Sequence, residues 1–252
     1  MEFENLKYDK KDGVARITIN RPSVMNALTP ALLKEMKVAV KDAGRDKKIG
    51  VLLITGEGRA FSAGVDLKAL GDYKLEKGKV GPILDVPARE LIETIQSIPT
   101  VVIAMVNGFC FTGALEIMLC CDLAIASEDA KFGDTHARWG LRPTWGMSQR
   151  LPRTVGLLKA RELSFTAETI DGREAQQIGL VNMAVPADKL EETTVDLAKK
   201  IMANSLESIA AYKYLYNHGV GLTLEKGLGL EFGSEFEISD TEDRLASFRK
   251  KG

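Results

Sequence analysis

Two uninterrupted apolar runs, Gly50 to Thr55 (GVLLIT) and Val101 to Val106 (VVIAMV), constrain this chain more than any other feature. Short apolar runs bounded by turn residues are the mark of strands covered on both faces, which needs layers above and below the sheet. Val14 to Asn20 (VARITIN) instead alternates and reads as a half-buried strand ended by Arg21-Pro22. Between these strands a helix is predicted with Thr29 as N-cap and Pro30 in the first turn. It carries Leu32, Leu33, Met36, Ala39 and Val40 on one face and stops near Gly44. Strand, helix and strand with so long a connection give a parallel pair and an α/β fold. A second amphipathic helix is expected from Val86 to Ile98, ended by Pro99. Further on, Leu123 to Ala126 and Leu180 to Val185 read as strands, with a helix from Asp171 to Ile178 capped by Asp171 and closed by Gly179. From Ala187 onward the pattern is helical, charged and broken by glycines, so the chain divides into a core over 1–195 and a helical region over 196–252.

A charged residue inside an apolar run is the second constraint. Glu116 lies in GALEIMLCC among Leu115, Ile117, Met118 and Leu119. A carboxylate there is costly to bury unless it is hydrogen-bonded, paired or used. Gly113, three residues earlier, opens a helix, where a backbone N–H is unpaired and aligned with the positive end of the dipole. Such a donor suits a developing oxyanion, and the glycine-containing stretch Gly58 to Leu70 is the natural source of a second. Two backbone donors and one carboxylate suffice to hold a carbonyl and move a proton beside it.

Composition removes several classes of function. A net charge of −1 argues against nucleic acid or an anionic membrane as partner. The N-terminus, MEFENLKYDKKDG, has no apolar signal region, which points to a cytoplasmic location. No apolar segment approaches the roughly 20 residues of a spanning helix. Cys110, Cys120 and Cys121 sit in the apolar centre and are expected to be reduced and buried. Two widely separated histidines give no metal-ligand spacing. The Gly56-Glu57-Gly58 turn lacks the remainder of any nucleotide-binding fingerprint, while Gly71 to Gly81 is polar and suited to lining a substrate entrance.

Four ordered segments, AFSAGVDL, VNGFCFTGALEI, CDLAIASEDAKFG and QRLPRTVG, resemble the crotonase (enoyl-CoA hydratase/isomerase) superfamily. The resemblance runs from about Val14 to the closing TEDRLASFRKKG and is closest in pattern to the enoyl-CoA hydratases. It implies a spiral of repeated ββα units followed by a C-terminal helical region that covers the site and builds a trimer or a dimer of trimers. The implied substrate is an acyl-CoA thioester, with no cofactor beyond the coenzyme A it carries. It further implies oxyanion-hole amides from Val65 and Gly113, and a coenzyme A path along Ser62, Ala63, Val65, Asp66, Leu67 and Lys68, with Lys68 near a phosphate or simply solvated. Glu116 matches the first catalytic glutamate of the hydratases.

The departures from that pattern matter as much. Where the hydratases carry a second glutamate, twenty residues after the first, this chain has His136 in FGDTHAR. An imidazole there either exchanges a proton with the substrate or merely hydrogen-bonds Asp134 or a main-chain carbonyl. A Gly-Ala-Gly-Gly run in relatives is replaced by Thr144, Trp145, Gly146 and Met147. Trp145, together with Trp139 and Thr144, is expected at the acyl pocket, either shortening it or packing beneath it. Thr144 is a poor base and weakens the reactions that rely on an aspartate at its place. Arg138 and Arg142 serve either surface ion pairs or recognition of a polar acyl tail. The leading expectation is reversible hydration of a 2-enoyl-CoA through Glu116 and His136. An enoyl-CoA isomerase, an acyl-CoA hydrolase and a non-catalytic acyl-CoA-binding scaffold stand as alternatives.

Overall fold

The structure, a computed structural model, describes residues 1–69, 71 and 75–249. The chain opens with a hairpin of β1 (Leu6–Lys11) and β2 (Val14–Ile19), and α1 (Pro30–Arg45) crosses over to β3 (Val51–Gly56). Next come β4 (Ala60–Ser62), α2 (Pro82–Ser97), β5 (Val101–Val106), β6 (Phe109–Phe111), α3 (Gly113–Met118), β7 (Leu123–Ser127) and β8 (Lys131–Gly133). They are followed by α4 (Met147–Val155), α5 (Leu157–Thr166), β9 (Ile170–Asp171), α6 (Gly172–Gln177) and β10 (Met183–Val185). Four helices end the chain: α7 (Leu190–Met202), α8 (Leu206–Gly219), α9 (Leu224–Gly233) and α10 (Thr241–Arg249).

The strands form a six-stranded sheet ordered β1-β2-β3-β5-β7-β10 and a four-stranded sheet ordered β4-β6-β8-β9. The two orders advance in step, since β3, β5 and β7 of the first sheet lead into β4, β6 and β8 of the second. That is the ββα spiral of the crotonase fold. Pairing is parallel between β2, β3, β5 and β7, as the long helical connections require. The apolar runs are explained directly. Leu52 and Ile54 of β3 face the main core with Leu32, Met36 and Leu91, while Val51 and Leu53 face a second cluster closed by Leu190 and Ala198 of α7.

Three details differ from the pattern read in the sequence. β1 is absent from it because five of its six residues are polar or exposed around the buried Leu6. α2 begins four residues before Val86, since Pro82 occupies the first turn and the interior Pro87 is tolerated. Of the helical region, α7 and α8 pack on the six-stranded sheet, while α9 and α10 bury no residue. Lys213 of α8 reaches Asp122 at 2.8 Å and the Thr100 carbonyl at 2.9 Å, and Asp122 also accepts from the Val102 amide at 2.7 Å. Part of the expected entrance segment, Asp72 to Lys74, and Leu70 beside it lie outside the described residues, as do Lys250 to Gly252. All three cysteines are free, with Cys110 and Cys120 buried. Among the described residues no helix is long and apolar enough to cross a membrane.

Candidate active site

The site has a main-chain side and a side-chain side. On the first, β4 ends at Ser62 and the chain turns through Ala63 to Asp66, braced by the loop that precedes α1. Ala63 N donates to the Met25 carbonyl at 2.9 Å, Leu28 N to the Gly64 carbonyl at 2.8 Å, and Asp66 N to the Leu28 carbonyl at 3.0 Å. Asn26, fully buried, locks this loop in place by donating to the Ala60 carbonyl at 2.7 Å and the Glu57 carbonyl at 2.9 Å. A planar trans peptide places the Val65 N–H opposite the Gly64 carbonyl, so it points away from Leu28. Among the described residues it meets no main-chain acceptor.

Gly64 lets this turn lie against the start of α3. Its φ is +89°, and a Cβ there would stand 2.4 Å from Thr112 Oγ1, 2.8 Å from the Phe111 carbonyl and 3.6 Å from Gly113 N. Gly113 is the first residue of α3, so its N–H has no partner within the helix. Thr112 before it has φ 45° and ψ −112°, outside the regions open to a β-branched residue. A Cβ on Gly113 would meet the Trp145 ring at 2.6 Å.

On the other side stands Glu116, only 2% exposed. Its Oε1 accepts from the Trp145 amide at 3.0 Å and from the Met147 amide, at the start of α4, at 2.9 Å. With that oxygen fixed, Oε2 is the one turned to His136, 3.7 Å from its Nε2. The other ring nitrogen, Nδ1, lies 2.6 Å from Asp134 Oδ1, and Asp134 Oδ2 accepts from Ser164 at 2.6 Å. Burial raises Glu116 above the usual carboxylate range, although the two amides and the His136 charge oppose it. Burial acts against ionised Asp134 too, but hydrogen bonds from His136 and Ser164 outweigh it and hold the carboxyl low. For His136, burial favours the neutral ring, yet the Asp134 bond and the Glu116 charge prevail and lift it above its ordinary 6.5. Each group thus bears on the other: the His136 charge opposes the rise of Glu116, and the Glu116 charge contributes to that of His136.

Val65, Gly113, Glu116 and His136 border one cavity of about 70 Å³. Ala63, Leu67, Trp139, Thr144 and Trp145 also line it. Trp139, 65% exposed, stands at the rim, whereas Trp145 is buried against Gly113. Ser62 departs from its expected place: it is fully buried, and its hydroxyl accepts from Gly64 N at 3.2 Å, shaping the turn rather than facing a ligand. Asp66 is held by Arg21 at 3.1 Å, and Lys68 is exposed. Arg138 donates to the Ala167 carbonyl at 2.7 Å, a structural bond. Among the described residues no lining residue comes from the region 196–252 of the same chain. His136 bonds Asp134, as one of the two sequence alternatives has it, and its other ring nitrogen faces Glu116. Sequence reading did not single out Asn26, Ser164 or Asp85. The last accepts from Thr144 Oγ1 at 2.7 Å and Trp145 Nε1 at 2.9 Å and so pins the loop over Gly113.

A family model described as Enoyl-CoA hydratase/isomerase matches residues 9–250. The short-chain-enoyl-CoA hydratase of Clostridium acetobutylicum is 34% identical over 255 residues, covering 100% of this chain and 97% of that protein. The crotonyl-CoA hydratase of Syntrophomonas wolfei is 33% identical, with the same coverage. The crystal structure of an enoyl-CoA hydratase from Bacillus anthracis superposes with a TM-score of 0.90 at 31% identity, over 98% of this chain and 97% of that one. With the spiral fold, two neighbouring helix- and turn-borne amides and a buried glutamate already in place, these similarities settle kinship: the chain belongs to the enoyl-CoA hydratase/isomerase family.

Proposed function

We propose that this protein catalyses the reversible addition of water to a short-chain 2-enoyl-CoA, yielding the 3-hydroxyacyl-CoA. The observation that carries this reading is the opposition of Glu116 Oε2 and His136 Nε2 at 3.7 Å inside a cavity bordered by the Val65 and Gly113 amides. The thioester oxygen accepts from both amides, which stabilise the enolate as it forms. Water attacks the β-carbon and gives a proton to Glu116 Oε2, the oxygen not held by Trp145 and Met147. The π electrons move onto the thioester oxygen. Collapse of the enolate takes a proton from His136 Nε2 to the α-carbon, so one water is divided between the two carbons. Glu116 is left protonated and His136 neutral, and transfer across the gap between them restores the starting state. His136 thus does the work of the hydratases' second glutamate.

A short acyl group is in keeping with relatives described as short-chain-enoyl-CoA and crotonyl-CoA hydratases. Coenzyme A, the only cofactor-like group, enters as part of the substrate along the turn from Ala63 to Lys68. The C-terminal helices expose Tyr212, Tyr216, Leu224, Leu228 and Phe232, the last 97% exposed. An apolar surface of this extent fits burial between copies, and we place the protein in a trimer or a dimer of trimers, checked by light scattering.

Incubation with a panel of 2-enoyl-CoA thioesters of increasing length, read by mass, tests the activity. A gain of one water, fastest for the shortest chain, supports it. An isomer of unchanged mass or released free coenzyme A would replace it with an isomerase or a hydrolase. Tight binding with no product would leave an acyl-CoA-binding scaffold.

A further inference from the structure

His136 does not stand alone at the cavity wall. Its Nδ1 is 2.6 Å from Asp134 Oδ1, and the Asp134 backbone span also ties the His136 amide to the same oxygen at 3.3 Å. The second carboxylate oxygen accepts from Ser164 of α5 at 2.6 Å. Asp134 is 3% exposed, so this carboxylate is buried with both oxygens engaged and no contact with the catalytic cavity. A buried charge is expensive without partners, and here one oxygen is engaged by the His136 ring and amide and the other by Ser164.

We propose that Asp134, itself oriented by Ser164, is a positioning residue for His136: it holds the proton on Nδ1 and fixes the ring so that Nε2 is presented to the reacting carbons opposite Glu116. The assignment rests on the hydratase reading for its catalytic consequence, but not for its geometry. A ring bonded at Nδ1 cannot flip without losing its partner, and the neutral form left after proton delivery has its lone pair on Nε2, the position from which the next proton must be taken up. The carboxylate also opposes the loss of positive charge from the ring. Four other charged or polar groups bear on that balance: Glu116 of α3 across the cavity, Ser164 of α5, and Arg142 and Arg161, which line an adjoining apolar cavity of about 320 Å³ that Asp134 and His136 also border. Of these, Glu116 is the one whose charge supports the imidazolium, so without Asp134 only Glu116 does so.

The test uses the full-length protein labelled at histidine nitrogen. The chain has two histidines, and His218, exposed and stacked on Tyr214 with ring centroids 4.0 Å apart, serves as the internal reference. In the wild type, nitrogen shifts should show His136 as Nδ1–H when neutral. In Asp134→Asn its titration midpoint should fall by about 1–3 pH units while that of His218 stays put. Ser164→Ala should loosen the carboxylate and mix the Nδ1–H form of His136 with Nε2–H, and since it removes only a hydroxyl it answers the question even if Asp134→Asn folds poorly. With crotonyl-CoA as probe, Asp134→Asn should lower kcat about 10- to 100-fold with KM little changed, and the alkaline limb of the pH profile should move down with the NMR midpoint. An unshifted His136 midpoint in folded Asp134→Asn, an Nε2–H tautomer in the wild type, or an Nδ1–H form as fixed in Ser164→Ala as in the wild type would overturn the assignment. So would a loss of kcat with an unmoved alkaline limb. If the wild type turns over no enoyl-CoA, the hydratase reading fails while the NMR arm still decides the role of Asp134.

Discussion

The two sides of the site reach the same cavity by opposite means. On the Val65–Gly113 side the groups proposed to act are main-chain amides, and the protein shapes them by forcing backbones together: Gly64 against Thr112 and Phe111, Gly113 beneath the Trp145 ring, Thr112 at a positive φ. On the Glu116–His136 side the groups proposed to act are side chains, and each is held by hydrogen bonds: Trp145 and Met147 for Glu116, and Asp134, itself held by Ser164, for His136. One side is sensitive to volume, the other to charge. Substitutions should separate accordingly, and each variant below either breaks that division or sharpens it.

The largest effect is expected on the charge side. Glu116→Gln keeps the volume and an oxygen able to accept from Trp145 and Met147, but removes the proton acceptor. Loss of a general base costs about 10²–10⁴-fold in rate, followed as disappearance of the conjugated enoyl-thioester absorbance. The wild type should show a bell-shaped kcat profile. Its acid limb, where Glu116 must be unprotonated, should lie above the ordinary carboxylate range because burial raises that group. Its alkaline limb, where His136 must keep its proton, should lie above 6.5. Undiminished turnover in Glu116→Gln would remove the carboxylate from the mechanism altogether. Next comes the volume side. Gly113→Ala sets a Cβ 2.6 Å from the Trp145 ring, so either the ring or the amide must move. Loss of one oxyanion donor costs about 10²–10³-fold, and here the pH profile should keep its shape while its height falls. A shifted profile would mean that the two sides are not separable.

The sequence shows the first side better than the second. Gly64 and Gly113 are visible because a backbone that must approach another leaves a glycine behind, and Glu116 because a charge interrupts an apolar run. The buried strands are legible for a related reason: β3 and β5 are covered on both faces, so no charged residue breaks them. What fixes the side chains is hidden by distance along the chain. Ser164 reaches Asp134 from 30 residues away, and Asp85 reaches Trp145 from 60. A serine or an aspartate on an amphipathic helix has no local signature that separates such a role from a solvated one. Ser62 fails in the opposite sense, since a small polar residue in a binding motif turns out to bond its own turn.

Asp85 joins the two sides, because the loop it pins carries both the ring over Gly113 and an amide that fixes Glu116. Asp85→Ala frees Thr144 Oγ1 and Trp145 Nε1 while leaving the backbone amides of Trp145 and Met147 in sequence. A full ångström of misplacement can cost about 100-fold, and a loop still packed by the buried Trp145 should shift less, so a loss of about 10-fold in kcat/KM is expected. Indole fluorescence of the two-tryptophan chain reports the loosened ring directly. A loss equal to that of Gly113→Ala would make Asp85 an integral support of the amide, and no loss would show that packing alone holds the loop.

The smallest effect tests whether the volume side is under strain. A β-branched residue at φ 45° and ψ −112° costs about 1–3 kcal/mol relative to an allowed conformation. Thr112→Gly removes that cost but adds chain entropy to the unfolded state, about 0.5–1 kcal/mol against it. The difference leaves a net gain of about 1 kcal/mol, seen as a melting temperature higher by about 2–4 °C for a chain of this size. Activity should fall slightly even as stability rises, because Thr112 Oγ1 is what Gly64 packs against, and a glycine there lets the Gly113 amide wander from the point it shares with Val65. A variant that melts lower would mean that the threonine contact outweighs its backbone cost. The amide side would then be held, like the acid–base side, by favourable contacts rather than by enforced geometry.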